Sequence, residues 1–283
     1  MISAMIIPLL ILAFLQGLLE YLPVSSEGQI LLVGVNAFLF DPTFILSLIF
    51  WLHLGTAFTV IIFYHRDVFG FLYQRIHLDK TEENNYATKT FGPLFMFVLV
   101  GTAGTALIAV PLYLFLKSWV TLLMGSIVTL LIGVLLLVTG IILYFQRGAK
   151  ENLGLADVSL REAFVIGLLQ GIAVLPGISR SAMTLTWLLV RGVEREEALR
   201  LSFLLSVPAI FGIVVLDFII EGAVLILPFP LLLVLMLVAL LTGLVTLSLL
   251  RYYAIRVPWW IFCFCLGILI IILTVPPILF PVP

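Results

Sequence analysis

Two polar interruptions constrain what this chain can fold into. The first reads Gln16-Gly17-Leu18-Leu19-Glu20-Tyr21-Leu22-Pro23-Val24-Ser25-Ser26-Glu27-Gly28-Gln29, and the second Gln170-Gly171-Ile172-Ala173-Val174-Leu175-Pro176-Gly177-Ile178-Ser179-Arg180-Ser181-Ala182-Met183-Thr184. Each begins Leu-Gln-Gly, runs to Leu-Pro and ends in small hydroxyl residues. Both are set in sequence with almost no charge: 63% of the 283 residues are hydrophobic, 10% are charged and the mean hydropathy is +1.31. A soluble domain carries about a quarter charged residues. Several apolar runs here approach or exceed the ~20 residues that cross a bilayer as a helix. The chain therefore reads as an integral membrane protein. In the bilayer core, irregular backbone survives only where protein or a water-filled cavity surrounds it, so the two interruptions are expected to meet and form one site.

Taken in order, residues 4–22 are apolar up to Glu20, and residues 30–40 are apolar but too short to span. A helix, a polar break and a short helix make the pattern of a re-entrant hairpin. Residues 163–190 carry the second one. True spans are expected at 44–64, 91–111, 119–145, 201–220, 229–250 and 258–280, with polar loops at 65–90 and 146–162. No basic stretch follows Met1 and the first apolar run carries Glu20, so no cleavable signal peptide is expected.

Charge supports that count. With both hairpins entering and leaving on one side, Arg66, Arg75, Lys80, Lys89, Arg147, Lys150, Arg161, Arg191, Arg195, Arg200, Arg251 and Arg256 share a side, with only Lys117 opposite and Arg180 inside the membrane. The crowded side is then cytoplasmic, and both termini are outside. The halves also repeat: Ser47 lies 21 residues after Ser26 and Ser202 lies 23 after Ser179, each opening a similar span. The expected fold is an all-α polytopic membrane protein. It is a single membrane domain with an inverted repeat (about 1–145 and 163–283), six transmembrane spans and two re-entrant helical hairpins meeting near the midplane, with the site at the repeat interface.

Within the breaks, Gln16 and Glu20 are i,i+4 and share a helix face. A carboxylate at membrane depth marks a function or a buried pair, unless Glu20 sits at the interface and is hydrated. Arg180 lies between Ser179 and Ser181, after Pro176-Gly177. Its guanidinium forks onto phosphate or carboxylate oxygens, and the Gly and Ser backbone can present N–H groups to an anion. The alternative is a structural pair with Glu20 or Glu27. Ser25 and Ser26 are candidate nucleophiles needing a base, or helix N-caps. His53 is a lone histidine at membrane depth, most simply a packed one, whereas His65 and His77 fall in the loop. Cys263 and Cys265 read as packing or lipid-facing residues rather than a metal site or disulfide. A net charge of -1 suggests no nucleic-acid partner. The residues alone point to an intramembrane site for an anionic, phosphorylated ligand, in either an anion transporter or a lipid-handling enzyme.

These motifs resemble the undecaprenyl-diphosphate phosphatase, or bacitracin-resistance, family. Gln16 to Ser26 looks like its (Glu/Gln)-x-x-x-Glu signature with the following serines, and Pro176 to Thr184 like its Pro-Gly-x-Ser-Arg-Ser-x-x-Thr signature. His53-Leu54-Gly55-Thr56 and Ser202-Phe203-Leu204-Leu205-Ser206-Val207-Pro208 also fit. The resemblance implies hydrolysis of a polyprenyl diphosphate to the monophosphate, which recycles the lipid carrier of cell-envelope synthesis, with a divalent cation such as Mg²⁺ or Ca²⁺ and an active site that opens on the extracytoplasmic side of the plasma membrane. It implies Glu20 as metal ligand or base, Ser26 as nucleophile or phosphate contact, and Arg180 as the clamp. Gln16, Ser25, Gln29, Gly177, Ser179, Ser181 and Thr184 would bind substrate. The sequence departs from the family at Gln29, where a histidine is usual, and at Glu27, where a small residue is usual; Glu27 or His53 is the candidate substitute base. A lipid-phosphate flippase or carrier is the rival reading, suggested by the inverted repeats, and a homodimer stays open.

Overall fold

The computed structural model describes residues 2–70, 82–120, 125–145, 152–221, 227–253 and 259–279. Among them the structure is helical, apart from an isolated parallel bridge between Leu153 and Val193. The helices are α1 (Ile2–Leu19), α2 (Ser26–Leu32), α3 (Pro42–Phe63), α4 (Glu82–Val120), α5 (Gly125–Phe145), α6 (Leu160–Ile172), α7 (Arg180–Val190), α8 (Arg195–Glu221), α9 (Phe229–Tyr253) and α10 (Trp259–Leu279). A π-helical turn, Val33–Ala37, ends α2, and one helical turn, His65–Val68, follows α3. Helix α4 already begins at Glu82, inside the stretch read from the sequence as loop.

Among the described residues, four stretches are long and apolar enough to cross a membrane: Pro42–Phe63, Gly92–Phe115, Arg195–Ile220 and Phe229–Leu250. Helix α9 shows how the sequence sorts its faces. Leu233, Leu237, Leu241, Val245 and Leu249 repeat every fourth residue and face outward, while Leu232, Leu235, Ala239 and Leu247 are buried. An apolar outward stripe is what lipid, rather than water, requires.

Both sequence interruptions are breaks between helices, three of the four flanking helices being short. Helix α1 (18 residues) gives way at residue 20 and α2 has only 7 residues; α6 (13 residues) stops at Ile172 and α7 has 11. Serine caps restart both: Ser25 accepts the Gly28 N–H at 3.4 Å and Ser179 the Ala182 N–H at 3.2 Å. Ser25 adopts φ 50°, ψ 84°, a left-handed conformation that turns the chain sharply at the first break.

Helix α1 packs along α9, and α6 packs along α4. The glycine in each Leu-Gln-Gly explains the closeness. A Cβ on Gly17 would run into the Ala239 carbonyl on α9, and one on Gly171 would come within 2.8 Å of the Thr105 carbonyl on α4. Helices α5 and α10 pair with each other, and α3 lies against α8 and α9. At the end of the bundle where α3 finishes and α8 begins, Arg200 holds Asp67 at 2.7 Å and Glu197 at 2.9 Å. Arg191 pairs there with Glu162. The side chains of Arg75, His77, Lys80, Lys89, Lys117, Arg147, Lys150, Glu221, Arg251 and Arg256 lie outside the described residues.

Candidate functional site

The two breaks meet in the protein interior. The Ser25 hydroxyl accepts the Gly177 N–H at 3.1 Å, and the Ser181 hydroxyl donates to the Leu22 carbonyl at 3.1 Å. Each break thus supplies a hydroxyl that satisfies backbone of the other, as broken backbone at membrane depth requires. Tyr21, 2% exposed, anchors the first break by donating its hydroxyl to the Thr56 carbonyl at 2.7 Å.

Glu20 lies at the centre. One carboxylate oxygen is paired with the Arg180 guanidinium. The other accepts from Gln16 Nε2 at 2.8 Å and from the Ser26 hydroxyl at 2.7 Å, and lies 3.3 Å from His53 Nε2. The sequence alternative of a hydrated, interfacial Glu20 does not hold, since the residue is 7% exposed. The Arg180–Glu20 pair does form, and it lies inside this cluster rather than apart from it. The ambiguity of the two serines is also settled in space: Ser25 caps α2, which leaves the Ser26 hydroxyl on the carboxylate.

His53 arrives from α3. Its Nδ1 lies 2.8 Å from the Ile49 carbonyl, which only accepts, so that nitrogen carries a proton. Nε2 faces both Glu20 and, at 3.5 Å, Glu27. An imidazole nitrogen between two carboxylates is placed to exchange a proton with either. Gln29, by contrast, is not brought into this cluster: its amide donates to the Val24 carbonyl at 2.6 Å and closes the first turn. Thr184 turns toward Ser202 on α8 and back-bonds to the Arg180 carbonyl at 3.2 Å. Ser179 and Ser181 lie 3.1 Å apart at the start of α7.

Two cavities adjoin the cluster. A small void of about 20 Å³ is bounded by Glu20, Ser25, Ser26, Glu27, His53 and Arg180, among others. A void of that size holds one water or one ion. A much larger cavity of about 500 Å³ lies among α3, α4, α6 and α8, and Glu27, His53 and Arg180 line it as well. Its walls are mostly apolar (Leu46, Phe50, Ala106, Val174, Ile213), and Tyr113 and Asp217 line it too, joined by a hydrogen bond from the tyrosine hydroxyl. This is the scale of a pocket for a small-molecule headgroup and part of an apolar chain.

The donor set fits a hard divalent cation. Glu20 and Glu27 flank the small void beside serine oxygens, and Mg²⁺ is commonly held by one or two carboxylates plus substrate phosphates. Among the described residues, no three His, Cys, Asp or Glu side chains form a self-sufficient ligand set. Both cysteines are free: Cys263 is buried with its Sγ 3.6 Å from the Pro23 carbonyl, beneath the first break, and Cys265 is exposed.

The sequence pattern gave no notice of Thr139 on α5. Its hydroxyl donates to the Gly177 carbonyl at 3.3 Å and accepts the Ser179 N–H at 3.4 Å. The only signal was a hydroxyl residue inside the apolar run 119–145.

Residues 9–272 match the family described as bacitracin resistance protein BacA. Among similar proteins, one from Methanothrix thermoacetophila is 34% identical over 95% of this chain and 96% of its own length. Another, from Haloarcula marismortui, is 36% identical over 91% and 93%. A third, from Desulforapulum autotrophicum, is 38% identical over 73% of this chain and 75% of its own. All three carry the name undecaprenyl-diphosphatase. With a match that takes in both breaks and every helix between them, the chain belongs to the bacitracin resistance protein BacA family.

Proposed function

We propose that this protein is a membrane phosphatase that hydrolyses undecaprenyl diphosphate to undecaprenyl monophosphate and inorganic phosphate, recycling a lipid carrier of cell-envelope synthesis. One observation carries the reading: a buried serine hydroxyl donates at 2.7 Å to a carboxylate that is itself paired with an arginine, and an apolar cavity reaches that arginine. A nucleophile with its base in hydrogen-bond reach, beside a cation for the phosphate, is the constellation phosphoryl transfer needs.

In this mechanism the diphosphate lies against Arg180, with the polyprenyl chain running through the apolar cavity and sideways into lipid. Ser26 Oγ attacks the terminal phosphorus, and its proton passes to Glu20. The bond from phosphorus to the bridging oxygen breaks, and the lipid monophosphate leaves. Water then cleaves the phosphoserine, restoring the Ser26 hydroxyl and releasing phosphate. Gln16 orients Glu20 through its 2.8 Å hydrogen bond. His53 and Glu27 stand beside that carboxylate as the groups that take up and return a proton, so the imidazole comes from α3 rather than from position 29. Glu20 and Glu27 would hold the divalent cation, whose contribution when bound is neutralisation of phosphate charge.

The finer architecture belongs to the same proposal. Six spans and two re-entrant hairpins form an inverted repeat, supported by the matched pairs α1 with α9 and α6 with α4, in which each hairpin lies on the other half's second span. The crowding of basic residues on one side supports a site that opens away from the cytoplasm.

The test is a product balance. Purified protein incubated with undecaprenyl diphosphate should yield one phosphate per lipid monophosphate. Transfer of labelled lipid across a sealed vesicle with no phosphate released would overturn the hydrolase and favour a carrier.

A further inference from the structure

The second break is a turn whose polar backbone must be satisfied without water. Gly177 adopts φ +110°, a conformation that favours glycine. A Cβ there would come within 2.9 Å of Leu135 Cβ and 3.1 Å of the Ile132 carbonyl, so the turn lies directly on α5. Thr139, 1% exposed, is on that same helix, one turn further along. Its hydroxyl bridges both sides of Ile178, donating to the Gly177 carbonyl at 3.3 Å and accepting the Ser179 N–H at 3.4 Å. The next residue is Arg180. On its other face the turn is held by the first break, through Ser25 at 3.1 Å from the Gly177 nitrogen.

We infer that Thr139 is a positioning residue: its hydroxyl fixes the Gly177–Ser179 turn against α5 and thereby sets where the Arg180 guanidinium stands relative to Glu20 and Ser26. A hydroxyl is required because one atom must both donate and accept, which neither valine nor a second carbonyl can do. The side chain touches no reacting atom. It acts through the backbone that carries the clamp, and a small misplacement of such a group is expensive in catalysis. The inference rests on the proposed phosphatase reading for its effect on turnover, but not for its effect on the turn.

The experiment compares wild type, Thr139→Val and Thr139→Ser by two readouts. Hydrogen–deuterium exchange of the segment spanning residues 176–181 reads the brace itself. In Thr139→Val exchange should rise by about tenfold, the size of one net hydrogen bond, and Thr139→Ser should return it to the wild-type rate. Turnover of undecaprenyl diphosphate reads the consequence: kcat should fall about tenfold in Thr139→Val with KM within about twofold, and Thr139→Ser should recover most of it. Unchanged exchange in Thr139→Val would overturn the inference. So would a serine variant as defective as the valine one, which would point to the methyl group and packing. So would raised exchange with unchanged kcat in an active enzyme. A wild-type protein that releases no phosphate would instead overturn the phosphatase reading, and the exchange comparison would still decide whether the brace exists.

Discussion

Glu20 and Arg180, 160 residues apart in the chain, form a partly buried ion pair across the junction of the two breaks. Neither half of the molecule holds a complete site. The carboxylate, its glutamine and the serine come from the first break, and the guanidinium comes from the second. A buried charge with its partner removed is strongly destabilised, so the pair also ties the hairpins together. Arg180→Lys keeps the charge and loses the planar fork that can hold Glu20 and a phosphate at once. Phosphate release by this variant should drop by about a hundredfold or more, with the melting temperature shifted little. A lysine variant with full turnover would show that only charge is needed there.

His53, read from the sequence with Glu27 as a candidate substitute base, and Gln29, read as a substrate contact, stand in different surroundings. Gln29 braces its own turn through the Val24 carbonyl, whereas His53 reaches the Glu20 carboxylate. Gln29→His should therefore fail to raise turnover and should cost about 1 kcal/mol of stability from the lost hydrogen bond. His53→Ala should lower kcat by about a hundredfold, the usual worth of a proton-transfer group. Steady-state kinetics of the two variants side by side check this, and a faster Gln29→His enzyme would refute it.

Close helix contact makes the Leu-Gln-Gly glycine a structural requirement. Gly17→Val would drive its side chain into the backbone of α9 at Ala239. Overpacking of this kind costs about 1–3 kcal/mol, and here the obstacle is backbone that cannot rotate aside. The expected outcome is a lower melting temperature and poor recovery of folded protein in detergent. A Gly17→Val protein as stable as wild type would mean that α1 and α9 separate easily.

At the charged end, Glu162 caps α6 by accepting from the Ser159 backbone N–H at 2.9 Å and from the Ser159 hydroxyl at 2.7 Å, and it pairs with Arg191. These bonds, the backbone one first, hold its carboxyl below the ordinary value of 4.5. A depressed carboxylate contributes stability above the unfolded value and loses it as pH falls through the folded one. Melting temperature should therefore fall as pH drops below 4.5, and Glu162→Gln should fall less steeply over that range. Parallel curves for the two proteins would contradict the assignment.

Much of the site could be read from the sequence because polar residues stand out in an apolar chain. Glu20 and Arg180 had few reasons to be where they are except a shared site, and both breaks are where the Leu-Pro steps placed them. What could not be read depended on direction rather than identity. Ser25 and Ser26 are the same residue type side by side, and only the left-handed backbone at Ser25 decides which one caps α2. His53 and Gln29 differ by which wall faces the cluster, a matter of tertiary packing. Thr139 was invisible because a threonine in an apolar helix usually bonds its own preceding turn. The stretch 65–90 read as loop from its charges, yet charged residues are good helix formers, and α4 starts within it at Glu82.

The central claim is that a hydroxyl and a carboxylate in contact, Ser26 and Glu20, hydrolyse a lipid diphosphate. Its most direct test is phosphate release from undecaprenyl diphosphate by purified wild type, Ser26→Ala and Glu20→Gln in one detergent, with and without a chelator of divalent cations. The account predicts release by wild type that the chelator suppresses and that each variant reduces by about a hundredfold or more. Ser26→Ala turning over at the wild-type rate would contradict it and assign the attack to water.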